Sequence, residues 1–360
     1  VAAFLQFSAQ TICLIMKLVT FMLCLAFSIQ GFAQRIDVSM IPYRKGDLWG
    51  YASPDKQILI KPQYADAAWF SEGLAAVKKG NKWGYINRQG KIIIPVKYTV
   101  AKPFRKGFMP KNGKEGGDSI IFAGASLRTD GTEICINAKG QTLLKCPAIA
   151  ENAVAENRVP IETKTVAKQY SIPNADGLFD KIIDDYTIPG TGKSFYIARK
   201  NNNYGVFNST FDTIVPFEYN SISYIRNAAQ PYLVVDKGGL KGILAPDGKT
   251  IVSPEYSNID VVDAEGQNLL IAKKQQQSYL KKFDNSDLLQ SPYVDIHYDN
   301  GGFVTTGNEN KKGYYFLDKT QIEPKYNELR RINHTPYLWV KTSTGKEGYI
   351  SKEGLEFFEE

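Results

Sequence analysis

The chain has 360 residues, 43% of them hydrophobic and 12% aromatic, and 44 Lys and Arg against 37 Asp and Glu give a formal net charge of +7. The excess is mild and runs through turns such as Val77-Lys78-Lys79-Gly80 rather than in one block, which excludes a nucleic-acid footprint and leaves room for weak attraction to anionic glycans or membrane surfaces. Only two histidines are present, His297 and His334, and neither sits beside a nucleophile motif, so a Ser-His-Asp or Cys-His device has little to work with.

Residues 1–33 carry one charge, Lys17, and read as an export signal. Met16-Lys17 supplies the start and the charged region, residues 18–29 the apolar stretch, and Gly31-Phe32-Ala33 the small residues before Gln34. Its removal lowers the net charge to +6. The competing reading is an uncleaved anchor, since residues 4–33 are long enough to span a bilayer. In that case membrane contact is expected through this segment alone. Lipidation of Cys24 is disfavoured by the large Leu23 before it. The expected location is secreted or periplasmic.

From residue 34 to 360 one unit recurs. A Gly is followed fourteen positions later by a Tyr, with a Pro shortly before it: Gly50 to Tyr64 with Pro62, Gly84 to Tyr98 with Pro95, Gly205 to Tyr219 with Pro216, and Gly242 to Tyr256 with Pro254. Gly313 to Tyr326 with Pro324 is one residue shorter, and Gly348 opens a last copy. The spacing is 34 residues from Gly50 to Gly84 and 35 from Gly313 to Gly348, a period typical of repeat architectures. Eroded copies fit the long gaps: residues 134–140, with Gly140 where Gly90 stands, residues 172–180, and residues 278–293. The total is about eight units.

The unit between Asn220 and Tyr256 is the cleanest. Ser221 to Ile225, Tyr232 to Asp236, Leu240 to Leu244 and Thr250 to Ser253 are short runs of β-branched and aromatic residues. Lys237-Gly238-Gly239 and Pro246-Asp247-Gly248 turn between them, with no helical period anywhere. The predicted fold is all-β, a series of four-stranded meanders of the propeller-blade kind, with an open β-solenoid of hairpins as the alternative. A Gly inside a strand implies a close approach, here expected from an aromatic ring, and the Pro implies an edge strand.

Lys82-Trp83-Gly84-Tyr85-Ile86-Asn87-Arg88-Gln89-Gly90-Lys91 and its copies resemble the WG, or KWG, repeat family, named for a Trp-Gly in a β-rich unit of this length. The resemblance runs from about Ile41 onward and implies an interaction role. Only Trp49-Gly50 and Trp83-Gly84 keep the Trp; the later copies read Tyr204-Gly205, Lys241-Gly242, Lys312-Gly313 and Glu347-Gly348. Such landmarks are expected to be scaffold rather than site.

Few other signals resemble chemistry. Gly190-Thr191-Gly192-Lys193-Ser194 mimics the end of a phosphate-binding loop, but Thr187 stands where that loop needs Gly and a strand pattern follows, so no nucleotide is expected. Asp295, His297 and Asp299 would share one face of a strand and form a weak metal candidate, against a polar strand edge as the plainer reading. Cys135 and Cys146 flank one turn and suit either a disulfide or two buried thiols. Trp69, outside the Trp-Gly landmark, is the ring first expected to bind. No cofactor is expected. The reading is an exported, non-catalytic repeat scaffold for a protein or glycan partner at the cell envelope; the alternative is a hydrolase or lyase acting on envelope polysaccharide with carboxylates gathered from several units.

Overall fold

Runs of β-branched and aromatic residues bounded by Gly, Pro, Asn and Asp turns favour short strands. The computed structural model describes residues 36–111, 114–127, 132–147, 177–225, 232–333 and 335–359, and these contain strands and turns throughout, with a three-residue 3-10 turn at Asn308–Asn310. Among the described residues no helix is long and apolar enough to cross a membrane. The expected export signal lies outside the described residues, as do His334 and most of residues 172–180.

The strands form eight small antiparallel sheets in chain order. The first contains Ile41–Lys45, Leu48–Ala52 and Ile58–Tyr64; the second contains Asp66–Ala67, Leu74–Lys79, Lys82–Asn87 and Ile92–Tyr98. In the third, the long strand Lys114–Ser126 pairs with Arg105–Lys111, Ile134–Asn137 and Val100–Ala101. These three belong to one compact unit that ends at Ile161, and the other five to a second that begins at Glu162. The fourth, fifth and seventh sheets are complete meanders, closed by Thr213–Tyr219, Thr250–Tyr256 and Gln321–Tyr326. The sixth and eighth have three named strands each, from Asn258–Ala264 to Gln277–Lys282 and from Glu328–Arg331 to Glu347–Ser351.

One register explains the recurrent Gly, Pro and Tyr. The residue before the Gly pairs with the Tyr: Trp49 with Tyr64, Trp83 with Tyr98, Tyr204 with Tyr219, Lys241 with Tyr256 and Lys312 with Tyr326. Immediately afterwards the register shifts, so the fourth strand bulges across the Gly. A Cβ on Gly84 would stand 2.8 Å from the Ile94 carbonyl oxygen, and one on Gly242 would stand 2.6 Å from that of Val252. At Gly50 and Gly313 the carbonyls of Ile60 and Ile322 are closer still. The Pro lies in the bulge, where no ladder donor is required.

The expected aromatic ring over this glycine is therefore a neighbouring backbone in most copies. A ring contributes at Gly205, faced by Phe217 as well as the Val215 carbonyl, and at Gly348, faced by Phe358. The one-residue-shorter copy at Gly313 has one register shift where the other complete copies have two.

Consecutive meanders bury their faces on each other, as stacked repeats must. Tyr85, Ile94 and Tyr98 of the second share a core with Phe104, Ala123 and Ile136 of the third. Val206 and Val215 of the fourth meet Leu233 and Val235 of the fifth. The Tyr after each Trp-Gly also reaches forward. The Tyr51 hydroxyl donates to the Ala68 carbonyl at 2.7 Å and its ring packs on Phe70 at 4.8 Å; Tyr85 repeats both contacts with Lys102, at 2.9 Å, and Phe104, at 4.8 Å. The 34-residue period is thus one of tertiary contacts as well as sequence.

Candidate functional site

Where the glycine is lost, the fourth strand does not close. In the third meander Ile134 takes its place, and only the bridge Ile136 to Thr142 stands where a fourth strand would begin. In the sixth the place is taken by Tyr279. The ends of its fourth strand are still held in the common register, Ser278 to Tyr293 and Lys281 to Asp287, and the Leu288 amide donates to the Leu280 carbonyl at 2.8 Å, but from Leu289 to Pro292 the chain leaves the ladder. A tyrosine side chain cannot lie under a backbone that passes so close to the bare glycines elsewhere.

A cavity of about 510 Å³ opens beside this displaced segment, between the sixth and seventh meanders. Tyr293 supplies its aromatic wall, the neighbouring Tyr315 being buried, and Gln321, Glu323, Lys319 and Asp287 bring polar groups to it. Gln321 Nε2 donates to the Tyr293 hydroxyl oxygen at 2.6 Å and to Glu323 Oε1 at 2.9 Å, which fixes the orientation of the amide. Burial, with the Glu323 charge adding to it, pushes the Tyr293 phenol above its ordinary pKa despite the Gln321 bond. Tyr293 therefore stays protonated at neutral pH.

Behind the mouth lies Lys281, a buried ammonium. It contacts Asp287 Oδ1 at 2.6 Å and lies 6.0 Å from the Tyr256 ring and 5.9 Å from that of Tyr279. Burial pulls its pKa down, but the Asp287 hydrogen bond and the neighbouring phenol outweigh this and raise it. The positive charge is permanent, and it holds the Asp287 end of the displaced segment in place.

The residues singled out from sequence lie elsewhere. Trp69 is 7% exposed, which removes the expectation that it binds. It lies between the short strand Asp66–Ala67 and the Ser71 bridge, where Phe70 also turns inward onto Tyr51. Asp295, His297 and Asp299 do not converge: the strand stops at Tyr298, His297 Nδ1 is 3.6 Å from Asp295, and Asp295 is taken by Lys273 at 2.8 Å. Burial would raise the Asp295 pKa, but Lys273 and His297 together hold it below the ordinary range. Among the described residues no three His, Cys, Asp or Glu side chains are placed to hold a metal ion.

Ile188 to Lys193 forms a tight hairpin turn, closed by the Ile188 amide on the Lys193 carbonyl at 3.0 Å, between Lys181–Thr187 and Ser194–Lys200. No helix follows to meet a phosphate. Cys135 and Cys146 are bonded, with Cα atoms 5.3 Å apart. Trp49, Tyr64, Tyr98, Tyr219, Tyr256 and Tyr326 are buried and serve the scaffold. Sequence reasoning missed Tyr293, Tyr315, Gln321 and Lys281 as a group. The available signal was Tyr279 standing where the register requires Gly.

Tandem antiparallel meanders with one bulge register define the class: a β-repeat protein. The family described as WG containing repeat matches residues 49–83, 83–109 and 204–240, so these stretches are WG repeats. No curated protein sequence matches the chain. Among solved structures, Hsv2 of Kluyveromyces lactis aligns at 9% identity and a TM-score of 0.25, covering 45% of this chain and 58% of Hsv2. This chain thus spans less than two thirds of that neighbour. BamB from Moraxella catarrhalis aligns at 10% identity and a TM-score of 0.28, covering 87% of this chain and 91% of BamB. The dihydro-heme d1 dehydrogenase NirN in complex with DHE aligns at 11% and 0.29, covering 92% and 75%. At such scores the likeness assigns nothing to this chain.

Proposed function

We propose that the chain is an exported, non-catalytic repeat scaffold at the cell envelope and that it binds a glycan in the cavity beside the sixth meander. The observation that carries this reading is the opening itself: in the sixth meander the fourth strand departs from the closed register and leaves a cavity with the Tyr293 ring, an oriented amide and a carboxylate on its wall. Flat aromatic faces with directed donors and acceptors suit the apolar faces and hydroxyls of a sugar. Export is supported by the Cys135–Cys146 disulfide, a bond that persists in oxidising compartments, together with the apolar residues 1–33.

Hydrolysis would call for a carboxyl held neutral near pH 7. The acids with displaced pKa values move the other way. Asp212 is lowered by hydrogen bonds from Thr210 and Asn208, Asp284 by Ser286, and Asp318 by Lys352 and Thr320.

The test is a screen of the full-length chain against envelope oligosaccharides, followed by calorimetry on any hit with the wild type, Gln321→Ala and Glu323→Gln. Binding that weakens about tenfold in Gln321→Ala is expected, a loss of about 1.4 kcal/mol. A glycan that binds both variants as tightly as wild type would place the site elsewhere. Release of shortened sugars would replace the scaffold by a hydrolase, and capture of a protein but no sugar would replace the ligand class.

A further inference from the structure

The common register allows the outer strands of the two units to be compared position by position. At the position paired with the second residue after the glycine, the first unit has Ile58, opposite Ala52, and Ile92, opposite Ile86, with Thr142 opposite Ile136 in the third meander. The second unit has Thr213, Thr250 and Gln321 in the complete meanders, with Asp287 and Glu356 in the others. Ile58 and Leu59 are 45% and 50% exposed, and Ile92 and Ile93 are 41% and 39% exposed. In the third meander Leu144, beside Lys145, is exposed as well. Two neighbouring blades thus present aliphatic pairs to solvent at one repeated place, where the complete meanders of the second unit keep one polar residue beside a half-buried or buried Ile, as Thr213-Ile214, Thr250-Ile251 and Gln321-Ile322.

Charge divides the same way. Residues 36–147 hold 18 Lys and Arg against 9 Asp and Glu, a net charge of +9, whereas residues 177–359 hold 21 against 23. The positive charge that looks evenly spread along the sequence is therefore concentrated in one unit. Its lysines flank the aliphatic pairs: Lys56 and Lys61 around Ile58-Leu59, Lys91 and Lys97 around Ile92-Ile93. All four are exposed or nearly so. Just before the landmark Tyr, the first unit has Gln63 and Lys97. There the second has Glu218 and Glu255, which take Lys237 and Lys274 at 2.8 Å each, and Lys325, whose charge is taken by Glu356 at 2.7 Å.

We propose that the outer-strand edge of the first unit, centred on Ile58, Leu59, Lys61, Ile92, Ile93 and Lys97, docks on an anionic lipid bilayer. Exposed aliphatic side chains enter the headgroup region while the lysines meet lipid phosphates, and the two signals together give binding that neither supplies alone. Other occupants fit less well. A soluble acidic polymer has nothing for Leu59 and Ile93 to enter, a second copy brings another +9 to the same face, and Pro62 and Pro95 interrupt the edge for an added strand. The surface lies immediately after the apolar residues 1–33, yet it would hold the chain at a membrane whether or not that segment is retained.

The test is co-sedimentation of the full-length chain with vesicles of equal phosphatidylglycerol and phosphatidylcholine and with vesicles of phosphatidylcholine alone. The readout is the ratio of the two affinities, which cancels any charge-independent contribution of residues 1–33. Lys61→Glu/Lys97→Glu is expected to cut the ratio about tenfold or more. Leu59→Ser/Ile93→Ser is expected to weaken anionic binding about as strongly, while Thr250→Ser, at the matching position of the second unit, leaves it unchanged. Lys91→Glu/Ile92→Ser serves as a second variant should either pair lower the unfolding midpoint. A ratio unmoved by every variant overturns the proposal. A ratio lost with the lysines but kept in Leu59→Ser/Ile93→Ser, and competed equally by polyglutamate, overturns the lipid in favour of a soluble polyanion.

Discussion

The second and sixth meanders are built on one register and end differently. Trp83 pairs with Tyr98 and Ile86 with Ile92; Ser278 pairs with Tyr293 and Lys281 with Asp287, at identical separations. The second meander closes because Gly84 lets the Ile94 carbonyl pass, and the sixth stays open beside Tyr279. Between these two meanders the volume at a single position separates scaffold from cavity; the eighth, which keeps Gly348 with three named strands, shows that the glycine permits closure without enforcing it. Erosion of a repeat, on this view, is how a repetitive protein makes a place unlike the others.

The most severe way to test that contrast is to fill a closed meander. Gly84→Val is expected to lower stability by about 3 kcal/mol or more, because the obstacle is backbone and cannot rotate away. Denaturant unfolding monitored by tryptophan fluorescence reads this directly. Next comes the third meander, where Ile134 replaces the glycine and a disulfide closes the chain instead. Cys135→Ala/Cys146→Ala is expected to cost about 2–3 kcal/mol, measured as the fall in the denaturant midpoint and matched by adding reductant to the wild type. An unchanged midpoint would mean that the crosslink holds nothing the strands do not already hold.

A smaller effect probes the forward contact between meanders. Tyr85→Phe keeps the ring on Phe104 but leaves the Lys102 carbonyl without its hydroxyl donor, for about 1 kcal/mol. Burial also holds the Tyr85 phenol well above its ordinary pKa, so its ultraviolet titration should lag behind that of exposed tyrosines on raising the pH. The smallest effect is electrostatic. Asp318 is lowered to about 2 by hydrogen bonds from Lys352 and Thr320, with the Lys352 charge adding to them. Its contribution is present in full above the unfolded carboxylate value near 4 and is lost as the pH falls toward 2. Lys352→Ala should lower neutral stability slightly, since the pair is exposed, and leave stability near pH 2 unchanged, so that acid unfolding flattens over that interval.

The all-β class and its construction from repeated short meanders were legible from strand pattern and spacing. Strand alternation and turn residues are local properties, and the 34-residue period multiplies the signal. What covers Gly84 was not legible, because a bulge is a relation between strands and a ring would explain the glycine equally well. Trp69 was misjudged for a related reason: composition reports that a ring is present but not which way it turns. The cavity residues Tyr293, Tyr315 and Gln321 come from two meanders and share no motif. The basic edge of the first unit stayed hidden while lysines were counted along the chain rather than by register.

The most direct test of the contrast is amide hydrogen exchange across residues 286–294 in Tyr279→Gly. With the ring gone, the displaced segment can enter the bulge register of Gly50 and Gly84. The expected result is stronger protection of the amides between Asp287 and Tyr293, accompanied by loss of any glycan binding in the cavity. Exchange as fast as in the wild type, in a variant that still folds, would show that position 279 does not control closure and would contradict the account.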